Sequence, residues 1–539
     1  MNRILIVWLS LCSTVLFAQT QDSLIPHLEK HGTATQLLVD GKPFLMLGGE
    51  LYNSSSSSLD YMRPVWPRLA AMPINTVLTP LSWELIEPQE GKFDFTLIDG
   101  LIQGARQNNL HIVFLWLASW KNGMSSYAPI WVKQNTQRFP RVVEKDGSPV
   151  EILSPLGKES TQVDAHAFAA VMRHIRDFDG ETHTVLMMQV ENEVGVLGDS
   201  RDRSPAANQA FAAQVPKELM SYLKQHRDAL IPEFRQVWDA AGAKTSGTWE
   251  EVFGSGPETD KKFMAWNYAR YVQQVAAAGK AEYPIPLYAN TWLPEPHSSP
   301  GDYPSGGPLP EVMDLWKAAG TAIDIYSPDL YAPNFAEWCA RYTRAGNPLF
   351  LPEARGGVRA GAQVFYAVGQ HDALGFSPFG IDWFVDMNRP TEIDTNNDLG
   401  KSYQVLMQLA PVIFQHEGKG EMAGFLLDQE HPQATAELNG YHLDVRLDNA
   451  FEADAKRGFG LVIAVGPDEF VGAGTGFCVS FSPQAGQSHV GISLVDEGTY
   501  AGGVWTPGRR LNGDEDEQGK CWRFIPKQIH IEKAVLYRY

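Results

Sequence analysis

Up to about residue 416 the chain alternates between short apolar runs and longer stretches with helical spacing. The apolar runs at 74–80, 110–117, 184–190, 285–290, 323–326, 348–352 and 373–380 lack the in-and-out alternation of a half-solvated strand. Continuous apolar runs of this length predict strands buried on both faces. An earlier strand, 42–47, follows the hairpin signal Asp40-Gly41 and ends in Gly48-Gly49-Glu50-Leu51-Tyr52-Asn53. The serine run 54–58 that comes next reads as a βα loop, with Ser58 capping a helix over 59–72. Further helices are predicted at 96–109, 163–178, 257–279, 310–319, 335–344 and 359–370. The segment 118–162 is rich in Pro, Ser and aromatics and has the texture of an active-site loop. Residues 196–256 form an insertion with helices near 205–227 and 232–241. The count is about eight βα repeats between 42 and 416, the repeat number of a (β/α)8, or TIM, barrel; a doubly wound sheet is the alternative. No glycine-rich phosphate loop follows any strand, which argues against a nucleotide site.

Beyond 416 the period changes. Pieces such as 422–427, 441–445, 459–465, 470–473, 477–481, 489–496 and 533–539 alternate with Gly, Pro, Asp and Asn, and helical spacing disappears. This predicts a C-terminal antiparallel β-sandwich over 417–539, behind a catalytic barrel over 19–416. The first 18 residues read as a signal peptide: Arg3, an apolar core from Ile4 to Phe17, then Ala18 at the cleavage site. The expectation is export to the periplasm. An outer-membrane lipoprotein anchored at Cys12 is the lesser alternative, because Leu11 before the cysteine fits poorly. No later run is long enough to span a bilayer.

Composition narrows the partners. The 539 residues carry a net charge of −19, which repels nucleic acid, anionic membranes and polyanionic substrates, and favours a neutral ligand. Cys339, Cys478 and Cys521 have no metal-ligand spacing. Cys478 and Cys521 lie in one region, so either a bridge or buried thiols would fit.

The chemistry is expected where apolar strands end in polar residues. The run 187–195 reads Met-Met-Gln-Val-Glu-Asn-Glu-Val-Gly and passes abruptly from strand to Glu191-Asn192-Glu193. A carboxylate at the end of a buried strand is costly unless paired or used. In a parallel barrel, strand C-termini are where active sites sit. The run 348–352 ends likewise in Glu353, followed by Ala354-Arg355-Gly356-Gly357. By count these are the fourth and seventh strands, which face each other across a small barrel. Two carboxylates roughly 5–5.5 Å apart can hydrolyse a glycosidic bond with retention. Burial and a negative neighbour would keep Glu193 protonated, while Arg355 or tyrosine hydroxyls would keep Glu353 ionised. No metal and no organic cofactor is required. Glu50 and Glu191 are either further site acids or structural carboxylates.

The stretch Gln189-Val190-Glu191-Asn192-Glu193-Val194-Gly195 resembles the acid/base signature of glycoside hydrolase family 35, the β-galactosidases. The resemblance covers roughly 40–420, and the C-terminal domain is similar to one found in a bacterial branch of that family. It implies Glu193 as acid/base, Glu353 as nucleophile, Asn192 on the sugar 2-hydroxyl and Tyr331 as a hydrogen-bond donor to the nucleophile. Trp83 and Glu84 resemble the family's second-strand region. One departure stands out: many members have Cys-Ala-Glu-Trp after the third strand, where this chain has Leu117-Ala118-Ser119-Trp120-Lys121-Asn122. Lys121 or Asn122 would then replace the missing glutamate's contacts, which puts leaving-group and galactose preference in question. Trp120, Trp131, Trp292 and Tyr303 are candidate sugar-stacking aromatics or ordinary loop packing. The expected activity is an exo-acting retaining β-galactosidase acting on neutral galactosylated oligosaccharides such as xyloglucan fragments. A β-glucosidase, an arabinosidase and a non-catalytic sugar-binding protein are the rivals.

Overall fold

The computed structural model describes residues 24–357, 359–382, 398–448, 456–484 and 489–539. The leader segment and Cys12 lie outside the described residues. Eight parallel strands close into a barrel in chain order, so the doubly wound alternative does not apply. They are β1 (Met46–Glu50), β2 (Thr76–Ser82), β3 (His111–Leu117), β4 (Val185–Val190), β5 (Leu287–Trp292), β6 (Ile325–Leu330), β7 (Phe350–Ala354) and β8 (Gly375–Pro378).

The apolar runs lack alternation because both faces of each strand are covered. On β3, Val113, Leu115 and Leu117 point into the barrel beside Met46, Leu78, Met187, Ile325 and Phe350. Ile112, Phe114 and Trp116 point outward into the layer shared with the surrounding helices. Leu37 and Val39 join the inner cluster. They come from an N-terminal sheet in which Ala34–Val39 pairs with His27–His31 and with Lys42–Pro43. That sheet plugs the floor of the barrel. The strand expected over 42–47 is therefore two pieces: Lys42–Pro43 completes the hairpin, and β1 begins at Met46. The long loop after β3 is partly ordered by a hairpin, Arg141–Val143 with Pro149–Leu153.

The C-terminal region is two antiparallel sheets, of six and four strands. Phe425, Leu443, Val462, Phe470, Val479 and Trp522 fill the space between them. Cys478 and Cys521 are joined in a disulfide there, and Cys339 is a buried thiol in the barrel. Part of the outer face of the larger sheet is covered by the barrel. Phe459, Leu461, Ile463, Val471 and Ala473 merge with the core of the barrel's helical layer. Contact is close enough that a Cβ on Gly369 would come within 2.7 Å of Leu461 and 3.1 Å of Gly424. Among the described residues, no helix is long and apolar enough to cross a membrane.

Candidate active site

The C-terminal ends of β4 to β7 are tied together by one chain of polar contacts. The backbone N–H of Glu193 donates to Asn290 Oδ1 at 3.0 Å. Asn290 Nδ2 donates to Asp329 Oδ2 at 2.7 Å. Asp329 lies in register with Glu353 on the next strand, and Tyr331 donates its hydroxyl to Glu353 Oε1 at 2.5 Å. Four successive strand ends thus place Glu193, Asp329 and Glu353 in one patch of the barrel mouth. Glu50, at the end of β1, and Lys121, just after β3, complete it: the charges of Glu353 and Glu193 bear on both.

The backbone aims these groups by leaving the strand conformation abruptly. Glu191 and Glu193 have φ of 61° and 46°, left-handed values that cost a non-glycine residue on the order of 1–3 kcal/mol and cluster at functional sites. The two turns break the two-residue alternation that would put both carboxyls on one face. Glu193 faces the mouth. Glu191 turns back to β3, where its carboxyl accepts the N–H of Ser119 at 3.2 Å and of Trp120 at 2.7 Å. It is thus a structural carboxyl, held by backbone amides. Gly195 makes the next bend: a Cβ there would sit 2.3 Å from the Pro304 carbonyl carbon.

The electrostatics separate the two principal carboxyls. Burial first, and then the charge of Glu353, raise the Glu193 carboxyl to about 7. Lys121 acts in the opposite direction. Burial and Glu353 likewise push Glu50 and Asp329 well above the usual carboxyl range. Burial would lower the Lys121 ammonium, but Glu353, Glu193 and Glu50 outweigh it and raise it. The mouth therefore keeps its cation and holds Glu193, Glu50 and Asp329 above the ordinary carboxyl range. Glu353 has one oxygen on Tyr331 and the other, Oε2, buried with no protein partner. Asn192 Oδ1 and Glu50 Oε1 are also buried without partners. This is a ring of acceptors that could receive the hydroxyls of a neutral polyol.

The other expected site residues divide. Lys121 and Tyr331 are at the mouth, and Asn192 is at the end of β4, its N–H donating to the Trp120 carbonyl at 3.2 Å. Asn122 sits beside Lys121 with φ of 52° and a buried side-chain oxygen that has no partner. Trp292, 38% exposed, is on the rim, in register with Asp329. Trp83 and Trp120 are not at the site. Both are fully buried, because each indole finds a partner within the core: Trp83 donates to Glu87 Oε2 at 2.8 Å and Trp120 to the Leu153 carbonyl at 3.0 Å. Trp131 packs edge-on against Trp83, and Tyr303 is buried. Glu84 is outside the cluster, in a half-exposed ion pair with Lys133 at 3.8 Å. Arg355 is exposed and makes no ion pair among the described residues; the contact to Glu353 is the tyrosine's. Asn290 and Asp329 went unremarked in the sequence, although each is a polar residue at the end of an apolar strand, the same signal that marks Glu193. As for metals, Cys478, Glu517 and Cys521 bring ligand atoms within 4.8 Å of one another, but the disulfide occupies both sulfurs.

Residues 63–282 match the family model Glyco_hydro_42, described as beta-galactosidase. Residues 399–523 match a domain of unknown function, DUF5597. The barrel match is thus to glycoside hydrolase family 42, a neighbour of the family 35 whose signature the β4 end resembles. A beta-galactosidase of Xanthomonas manihotis is 28% identical over 174 residues, 31% of this chain and 26% of that protein. Beta-galactosidase 11 of Arabidopsis thaliana is 26% identical over 174 residues, 30% of this chain and 18% of that protein. The chain therefore matches only about a quarter or less of the length of these curated relatives. Among solved structures, a beta-galactosidase from Bacillus circulans sp. alkalophilus has a TM-score of 0.46 at 16% identity, covering 69% of this chain and 57% of that one. The GH42 beta-galactosidase Gan42B has a TM-score of 0.43 at 14% identity, covering 72% of this chain and 59% of that one.

Proposed function

We propose that the chain is a retaining exo-β-galactosidase that removes terminal β-galactosyl groups from neutral oligosaccharides, with Glu193 as acid/base and Glu353 as nucleophile. The observation that carries this reading is the unequal pair at the ends of β4 and β7. One carboxyl is held near 7 by burial and its partner's charge. The other takes a hydroxyl on one oxygen and leaves the second unpartnered. In the first step Glu353 Oε2 bonds to the anomeric carbon, the glycosidic C–O bond breaks, and Glu193 gives its proton to the leaving oxygen. Once Glu353 is esterified its charge is gone, and the Glu193 pKa falls. Glu193 then takes a proton from water, which attacks the same carbon and releases Glu353. Lys121 and Asn192 would contact sugar hydroxyls. The family 35 signature and the family 42 match both bear on galactose as the sugar. Galactosylated hemicellulose fragments such as those of xyloglucan are the proposed substrates, and the periplasm the proposed site of action.

The test is turnover of an aryl β-galactoside followed by NMR. The first-formed galactose is expected to be the β-anomer, and Glu193→Gln and Glu353→Gln to lose nearly all turnover of an unactivated galactoside. An α-anomer would exclude Glu353 as nucleophile. Faster cleavage of a β-glucoside or an arabinoside would exclude the galactose assignment.

A further inference from the structure

Cavities of about 370, 580 and 920 Å³ adjoin one another along one groove-like stretch of surface, with Pro333 and Arg359 lining all of them. The smallest begins at Tyr331, the residue bonded to Glu353. The largest ends against the first two strands of the sandwich, at Gly424, Asp428 and Thr435. Each volume lies within the range of small-molecule sites, about 300–1,000 Å³. Tyr331 thus belongs both to the groove's lining and to the hydrogen-bond partners of Glu353.

The lining has the chemistry of a carbohydrate site. Tyr331 is 37% exposed, and half-buried Tyr366 continues an aromatic wall, with Phe335 buried behind it. Polar groups lie between them. Gln363 lines the two smaller cavities and has a buried side-chain oxygen with no partner. Arg359 is exposed and, among the described residues, makes no ion pair. Cations (Arg355, Arg359, Lys456, Arg457) and acids (Glu337, Asp428, Glu430) both line the groove, so neither a polyanion nor a polycation is favoured. Aromatic faces, amides and an unpaired guanidinium suit a neutral chain of hydroxyls.

We propose that this groove between barrel and sandwich binds the leaving-group side of the substrate as an extended neutral oligosaccharide. The C-terminal domain then serves as the far wall of the substrate site. The inference rests on the galactosidase reading only in naming the reaction; the groove and its ligand class are independent of it.

The test uses the full chain and the double variant Arg359→Ala/Gln363→Ala, with thermal melts to verify folding. Two substrates are compared: an aryl β-galactoside, too short to enter the groove, and a galactose-terminated branched glucan oligosaccharide. The expected result is a fall of about tenfold in kcat/KM on the oligosaccharide, carried by KM, with the aryl galactoside unchanged. Equal effects on both substrates, or none on the oligosaccharide, would overturn the proposal. Failure of the parent chain to cleave either galactoside would count against the galactosidase reading alone. Calorimetric titration of the degalactosylated oligosaccharide then decides the groove: the parent should bind it and the variant bind it at least tenfold more weakly. No binding to the parent would overturn the groove.

Discussion

Behind β3 and β4, the Glu191 carboxyl accepts two backbone N–H groups. Beside it Asp164 accepts Trp116 Nε1 at 2.9 Å, Ser119 Oγ at 2.6 Å and Tyr271 OH at 3.1 Å. Two residues further along the same strand end, Glu193 enters a group of carboxyls with buried oxygens that the protein leaves unpaired. Burial is nearly equal in the two places: Glu191 is fully buried and Glu193 is 5% exposed. Depth therefore does not distinguish a structural acid from one in the candidate site. What separates them is whether the fold itself supplies the hydrogen bonds. The first cluster is complete without a ligand and fixes the β3 exit that carries Lys121. The second is complete only when something else donates to it.

The sharpest way to break that contrast is to neutralise each acid without changing its shape. Glu353→Gln and Glu193→Gln should each lower turnover of an unactivated galactoside by about 10³-fold or more, the scale of losing a nucleophile or a positioned acid. Neither should lower the urea midpoint, because removing a crowded negative group relieves the site. A large loss of stability in either variant would place these acids with Glu191.

Glu191→Ala should show the reverse ranking. Two buried N–H groups would lose their acceptor, at about 1–3 kcal/mol each. Urea denaturation should show a loss of about 2–6 kcal/mol, and activity should fall with the β3 exit loop. A variant as stable as the parent would mean that water replaces those bonds at no cost, and the contrast would fail.

The barrel was legible because its strands are covered on both faces, which leaves unbroken apolar runs such as His111–Leu117. The sandwich was less so. The strands Gln433–Leu438 and Val504–Leu511 are largely solvated, and Trp522–Phe524 is only 3 residues long, so none offers a long apolar stretch. At the mouth, Glu193 and Glu353 were visible as polar ends of apolar runs. The separation of Glu191 from Glu193 was not, because it depends on left-handed backbone at both residues. Aromatic content also misled. Trp83 and Trp120 follow strands, but residue type does not say which way an indole faces.

A smaller effect probes the cation. Burial and Glu353 raise Glu193 to about 7, and a general acid, the role proposed for it, works only while protonated. The rate of leaving-group departure should thus fall as pH rises through about 7. Lys121 lowers the Glu193 pKa, opposing Glu353. In Lys121→Met the alkaline limb of kcat/KM should move to higher pH, whatever happens to its height. A limb that stays in place would remove Lys121 from the electrostatics of the acid and leave it only a contact to sugar.

The smallest expected change comes from an aromatic residue beside the mouth. Trp83 is fully buried, and its indole N–H meets Glu87 Oε2 at 2.8 Å. Trp83→Phe removes that donor and part of the ring, leaving Glu87 with the N–H of Gly91 at 2.7 Å. The expected cost is about 1–3 kcal/mol in urea denaturation, the scale of one hydrogen bond to a charged group plus a small cavity. KM for an aryl galactoside should be unchanged, because the ring touches core residues and not the acceptor ring of the mouth. Trp292→Ala is the matched control. That side chain is 38% exposed on the rim, so its loss should leave stability within about 0.5 kcal/mol and raise KM. If instead Trp83→Phe raises KM and Trp292→Ala does not, the boundary between core and site drawn through these two tryptophans is in the wrong place.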